Sequence, residues 1–191
     1  GQLDQYATEI GLWQGIFEKY GIDLQTTEFV AGINTIDAVV NGTADIGMMA
    51  DYAAVNRLGN TLDATNLQIF SQISGGQSAL SGGLYVDPKY ADDPKSLDGS
   101  AGFMYQEGTV TYYYASKCIE YLGLDESKQN LINTDSSQTR LALIQKGGAS
   151  AVYANGSEAK YIEEAGWVQV ATSQEIGIQT GSYFLSTDKY I

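Results

Sequence analysis

The 191-residue chain has no histidine, a single cysteine and only 10 basic side chains against 23 acidic ones. Without histidine, the usual general base of serine and cysteine hydrolases and the commonest metal ligand are both missing. Cys118 alone forms neither an intramolecular disulfide nor a thiolate cluster, and one thiol fits either redox compartment. The formal net charge of −13 and sequence pI of about 4.1 oppose nucleic acid and anionic membrane surfaces as partners. The acidic residues are scattered, as on a solvated surface. No apolar run has the length of a membrane span, and no stretch reads as a signal peptide, which suits a trimmed secreted product as well as a cytosolic protein.

What is present is an ordinary globular composition, 43% hydrophobic and 17% charged, enough for one large domain or two small ones. The stretch Gly11 to Asp51 alternates helix and strand patterns. Trp13, Ile16, Phe17 and Tyr20 recur at helical spacing and predict a stripe that packs on a sheet, ended by Gly21 as a left-handed C′ residue. Asp23 to Val30 reads as a strand and Thr35 to Asn41 as a helix stopped by Gly42. The apolar run Ala44 to Met49 reads as a central parallel strand, with Asp51 capping a third helix through about Leu58.

Leu67 to Ile73 is a further strand pattern, leading into the Gly/Ser-rich stretch Ser74 to Gly83, which suits either a flexible loop or a crossover with hinge glycines. Beyond Tyr85 and Val86 the alternation resumes. Strands are predicted at Ala101–Tyr105, Asn130–Asn133, Ser150–Tyr153, Trp167–Ala171 and Tyr183–Leu185, and helices at Gly108–Leu122, Asp135–Lys146 and Ser157–Ala165. Such alternation implies βαβ units and mostly parallel sheets.

The two halves echo one another. Glu18 to Asp23 and Glu120 to Asp125 both run from a helix end through Gly and an aliphatic residue to Asp. Ala38 to Asp51 aligns with Leu143 to Gly156, placing Gly42 on Gly147 and Met48 on Tyr153. The expected fold is therefore α/β with two similar lobes and a ligand cleft between them: residues 1–76, a hinge crossover at 77–84, a second lobe at 85–176, and a return segment at 177–191.

Gly15 to Gly47, with Ser96 to Gly99, Gln106 to Thr109, Asn133 to Asp135 and Leu143 to Ala151 in matching order, resembles the substrate-binding proteins of ABC importers of the nitrate/sulfonate/taurine type, which include thiamine-precursor binders. Ser150 and Gly156-Ser157 depart from that pattern, which has Asp and Glu-Pro there. Against the family the chain reads as truncated at both ends, lacking the strand before Trp13, with sheet edges that would favour pairing with another chain. The resemblance implies a type II periplasmic-binding-protein fold and capture of a small organic solute by hinge closure. It also implies an ABC permease as membrane partner, no cofactor, no metal, and a monomer, or an oligomer if truncated. The implied location is the periplasm or the outer face of the membrane, by way of a lipid anchor in some cases.

On that resemblance the ligand meets helix-opening turns, where free N–H groups and the dipole favour polar groups. These turns carry Gln5, Tyr6, Gly32, Asn34, Met49 and Asp51 in the first lobe and Gln77 in the crossover. In the second lobe they carry Gln106, Glu107, Gly108, Thr109, Tyr112, Asp135 and Asn155. Thr109 either holds the ligand's polar end or serves as an N-cap; Asp51 either pairs an ammonium or caps its helix. Tyr114 and Cys118 share a core stripe. None of the turns carries Lys or Arg, and Arg57 and Arg140 lie further along their helices, so a neutral, zwitterionic or amine-bearing ligand is expected. The alternatives are a ligand-sensing domain of a regulator on the same fold, or a hydrolase using Asp51 with Glu107.

Overall fold

The computed structural model describes residues 6–59, 66–75, 82–97 and 102–191. Its two sheets follow from two kinds of strand. In the larger sheet, β3 (Gly82–Val86), β4 (Gly102–Tyr105) and β6 (Ala151–Asn155) are buried almost throughout, as strands covered on both faces must be. Their side chains alternate between two cores. Leu84, Val86, Phe103, Ala151 and Tyr153 join Tyr114, Cys118 and Ile119 of α5 (Val110–Leu122) and Ile176 of α8 (Ser173–Ile176). Tyr85, Met104, Val152 and Ala154 face the other way, onto Ile144 of α6 (Ser137–Gln145) and Ile162 of α7 (Gly156–Glu164). Helices on both faces make a three-layer lobe.

With β5 (Asn130–Asn133) and β7 (Val168–Thr172) the order of this sheet is β5-β4-β6-β3-β7. Only β5-β4-β6 is parallel; β3 runs antiparallel to both β6 and β7. β3 follows the crossover rather than a helix of its own lobe and inserts, reversed, between β6 and β7, which are joined through α7 and run in the same direction. Residues 82–84, expected within the hinge, are strand. A Cβ at Gly83 would lie 2.0 Å from the Ala171 carbonyl, and one at Gly82 2.4 Å from that of Ala154.

The smaller sheet has the order β1-β8-β2, from β1 (Ile46–Ala50), β2 (Leu67–Gly75) and β8 (Gly181–Thr187), and is antiparallel throughout. β8 runs between the other two, so the chain's last strand completes the first lobe's sheet. The apolar run at β1 is thus an edge strand among the described residues, with Ile46 half-exposed, rather than a central parallel one. One face of this sheet is closed by α3 (Gly32–Val40) and α4 (Asp51–Gly59), with Ile36, Val39, Met49, Ala53, Ala54 and Leu185 as its core.

The repeat is visible in the backbone. Gly42 (φ 70°) and Gly147 (φ 66°) each end a helix before a strand and a further helix, and Gly21 (φ 73°) and Gly123 (φ 71°) end the helices of the other echoed pair. The first helix departs from expectation. It is broken into α1 (Tyr6–Trp13) and α2 (Ile16–Lys19) because Gly15 takes φ 63° between them. The spacing of Trp13 and Tyr20 then no longer makes a face, and both are 79% exposed. Phe17 instead turns back onto Gly11, where a Cβ would lie 2.7 Å from its ring. Asp23 to Val30, expected as a strand, has no ladder partner among the described residues and is mostly exposed.

Candidate functional site

The carboxyl ends of the parallel strands β4, β5 and β6 lead into α5, α6 and α7, so the first turns of three helices gather at the usual ligand position of open α/β sheets, and β1 of the antiparallel sheet leads likewise into α4. Gly108 (φ 72°) makes the tight turn after β4. Thr109 caps α5: its hydroxyl donates to the Gln106 carbonyl at 2.9 Å and accepts from Thr111 N at 3.3 Å. Thr111 Oγ1 in turn accepts from Gln106 N at 2.7 Å. Thr109 therefore spends its hydroxyl on closing its own turn.

Beside that turn, Gln106, Glu107, Asn133, Thr134, Asp135 and Thr139 line an open groove. Glu107 and Asn133 exchange bonds across it, with Glu107 N donating to Asn133 Oδ1 at 3.0 Å and Asn133 Nδ2 to Glu107 Oε2 at 3.3 Å. Asp135 accepts from the hydroxyls of Thr139 and Ser136, which hold its carboxyl below its ordinary range. Arg140 lies buried behind this groove, bonded to its lining residue Thr134. Its guanidinium donates to Glu158 at 2.6 Å, Thr134 at 3.2 Å and Ser137 at 3.1 Å. A cation thus lies closer to the groove than sequence spacing suggested, but it is balanced by Glu158, while Glu107 and Asp135 are the exposed charges.

The other lobe meets this rim. A Cβ on Gly108 would lie 3.7 Å from Ile33 Cδ1, at the start of α3. Tyr52, in the first turn of α4, sits with its ring centroid 6.3 Å from Tyr112 and 6.5 Å from Tyr113. Tyr105 packs edge-on to Tyr112 at 5.4 Å. Tyr112 Oη donates to Glu126 Oε1 at 2.9 Å, and Ser116 donates to the other oxygen at 2.6 Å. That hydrogen bond, with the carboxylate's charge, raises the Tyr112 phenol above its ordinary value.

Of the expected site residues, Gln106, Glu107 and Asp135 share the groove, and Gly108, Thr109 and Tyr112 form its rim. Others fall elsewhere. Met49 is 2% exposed and belongs to the small lobe's core, where Gly32 lets α3 approach it, its added Cβ being 3.1 Å from that of Met49. Asn34 faces a second groove with Glu28, Val30 and Asp37 on the outer side of α3; Ile33 is the residue of that turn facing Gly108. Asp51 is bound by Tyr52 N at 2.7 Å, Thr180 Oγ1 at 2.7 Å and Gly181 N at 2.9 Å, so both of its oxygens are engaged by the chain's own groups, at its helix start and at the entry to β8. Asn155 precedes α7 without capping it and pairs with Gly82 in the ladder. Tyr6 lies half-exposed on α1, which packs on α2. Gln5 and Gln77 lie outside the described residues. Tyr105, Tyr113, Glu126 and Thr180, not among the expected residues, also contact Tyr52, Tyr112 or Asp51; a tyrosine run at a helix start opposite another helix-opening tyrosine was the available signal.

No protein-family model and no curated sequence relative matches the chain. Solved structures do. The periplasmic aliphatic sulphonate binding protein SsuA of Escherichia coli is 16% identical with a TM-score of 0.73, over 94% of this chain and 60% of that one. The alkanesulfonate-binding protein SsuA of Xanthomonas axonopodis pv. citri, bound to MOPS, is 18% identical with a TM-score of 0.73, over 98% and 63%. The fold is that of the periplasmic binding proteins. A Candida albicans protein described by that generic fold, the CA3427 gene product, matches at 11% identity and a TM-score of 0.71, over 97% and 60%. The chain spans less than two thirds of the length of each of these periplasmic-binding-protein structures.

Proposed function

We propose that this chain is the solute-binding part of an ABC importer, capturing a small organic molecule between its two lobes and presenting it to a membrane permease. The observation that carries the reading is the meeting of helix-opening turns from both lobes, Ile33 and Tyr52 on one side, Gly108 and Tyr112 on the other. A ligand there would touch both lobes and so favour their closure, because it binds the closed state better than the open one. The return crossing of that motion would fall near residues 177–181, between α8 and β8. A periplasmic or extracellular location follows from the role.

The ligand would be neutral, zwitterionic or amine-bearing. Both arginines near the turns are paired, Arg57 to Asp37 and Arg140 to Glu158, while the groove exposes Glu107 and Asp135. A sulfonate or nitrate, as the sulfonate-binding neighbours would suggest, would meet carboxylates with no unpaired cation offered at the groove.

A thermal-shift screen of small sulfonates, amines, pyrimidines and amino acids tests the function, since a ligand that binds only the folded form raises the melting point by mass action. At least one class should shift it with saturable dose dependence. A flat response across all four classes would contradict the reading.

A further inference from the structure

The surface where the lobes meet is made of tyrosine rings. Tyr52 reaches from α4 in the small lobe, and Tyr105, Tyr112 and Tyr113 come from β4 and α5 in the large one. Tyr112 is within 5.4–6.3 Å of two of the others, centroid to centroid, and the planes are tilted by 40° to Tyr52 and 66° to Tyr105. A cation held against the exposed part of this cluster would have more than one ring within about 6 Å, the range in which a ring's quadrupole attracts it. Behind the rings, Glu126 is a half-buried carboxylate whose two oxygens are met by neutral hydroxyls, those of Tyr112 and Ser116. A phenol donating to a carboxylate has a more electron-rich ring and a stronger hold on a cation. The lysine next along α5, Lys117, turns away to Glu120 at 2.7 Å.

We infer that the tyrosines of both lobes form an aromatic receptor for the alkylammonium group of an organic ligand, with Glu126 supplying the charge behind it. This rests on the reading of the cleft as a solute site and names the ligand class. A bulky, weakly hydrated ammonium suits the cluster better than a primary amine, because it keeps its attraction to the rings without losing strong hydrogen bonds to water. The groove at Glu107 and Asp135 beside the cluster would take the polar remainder of the ligand.

Calorimetric titration of the 191-residue chain with choline, with its uncharged isostere 3,3-dimethylbutan-1-ol, and with taurine provides the test. Choline should bind, with the isostere at least about tenfold weaker, a difference set by the charge on the rings. Tyr52→Leu and Tyr112→Leu should each lower choline affinity about tenfold, with unchanged far-UV circular dichroism. Tyr112→Phe keeps the ring but loses the bond to Glu126, so its loss should be smaller. Equal binding of choline and the isostere, or choline affinity untouched by Tyr52→Leu, would overturn the inference. Saturable binding of taurine without choline would overturn it too, while leaving the solute-binding reading intact. No binding of these probes, together with a flat thermal-shift screen, would sink both.

Discussion

Thr180 Oγ1 donates to Asp51 Oδ1 at 2.7 Å, and Gly181 N donates to Oδ2 of the same carboxylate at 2.9 Å. Asp51 opens α4 in the small lobe, and Thr180 and Gly181 carry the chain out of the large lobe into β8. One side chain therefore fixes a helix start to the point where the return strand enters its sheet. Bonds to an ionised acceptor are worth about 1.5–3 kcal/mol, so Thr180→Val should lower unfolding stability by about 1.5 kcal/mol and Asp51→Ala, which loses more than one such bond, by about 2–3 kcal/mol in urea titrations. If Asp51→Ala left the midpoint unchanged but abolished ligand binding, Asp51 would be a ligand group instead.

The Arg140–Glu158 pair, 2.6 Å apart with the arginine side chain 7% exposed, ties α6 to α7 behind the groove. Glu158→Ala leaves that guanidinium buried without its counter-charge and should cost about 3–5 kcal/mol. Replacing both residues together, as Arg140→Met with Glu158→Leu, should cost less than the single change. Guanidinium chloride denaturation of the three proteins checks the order, and an additive result would show that the two residues act independently.

Tyr85, 3% exposed, donates to Glu163 at 2.9 Å, and burial, then this bond, push its phenol up to about 12. A folded value above the unfolded value of 10.0 means the stabilisation is complete below pH 10.0 and is lost as pH rises towards about 12. The melting temperature should therefore fall across that window, and Tyr85→Phe should flatten the fall. The difference in tyrosinate absorbance between the wild-type protein and Tyr85→Phe isolates this one ionisation among the 14 tyrosines.

Glycine at the crossover's end serves packing more than freedom. A side chain at Gly82 would meet Ala154 O at 2.4 Å and Asn155 Cβ at 2.6 Å. Gly82→Ala should thus destabilise the large lobe by about 1–3 kcal/mol by forcing β3 from β6. A variant with native stability and altered ligand affinity would restore Gly82 to the hinge.

Much of the fold was legible. From Leu67 onward each predicted strand and helix is present to within a few residues, because alternating apolar faces and left-handed glycines such as Gly123 and Gly147 mark them locally. Strand direction was not: β3 and β8 enter their sheets through crossovers, and nothing local in Gly82–Val86 states which neighbour it will meet. The Trp13 stripe failed because one glycine, Gly15, changes the helix phase between its members. The residues expected in the Gln106–Asp135 turns share one groove because those turns follow the ends of neighbouring strands. Met49 and Asn34 were misplaced because adjacency to a turn does not say which way a side chain points. Glu126 was missed because it reaches the site only through the hydroxyl of Tyr112.

The most direct test of the central claim is a titration of the 15N-labelled chain (~uniform labelling) with the solute giving the largest thermal shift, followed by amide chemical-shift mapping. A site made by both lobes predicts that amides of Ile33, Tyr52, Glu107, Gly108 and Asp135 move together on one saturation curve. Shifts confined to one lobe, or to the outer groove around Asn34 and Asp37, would contradict it.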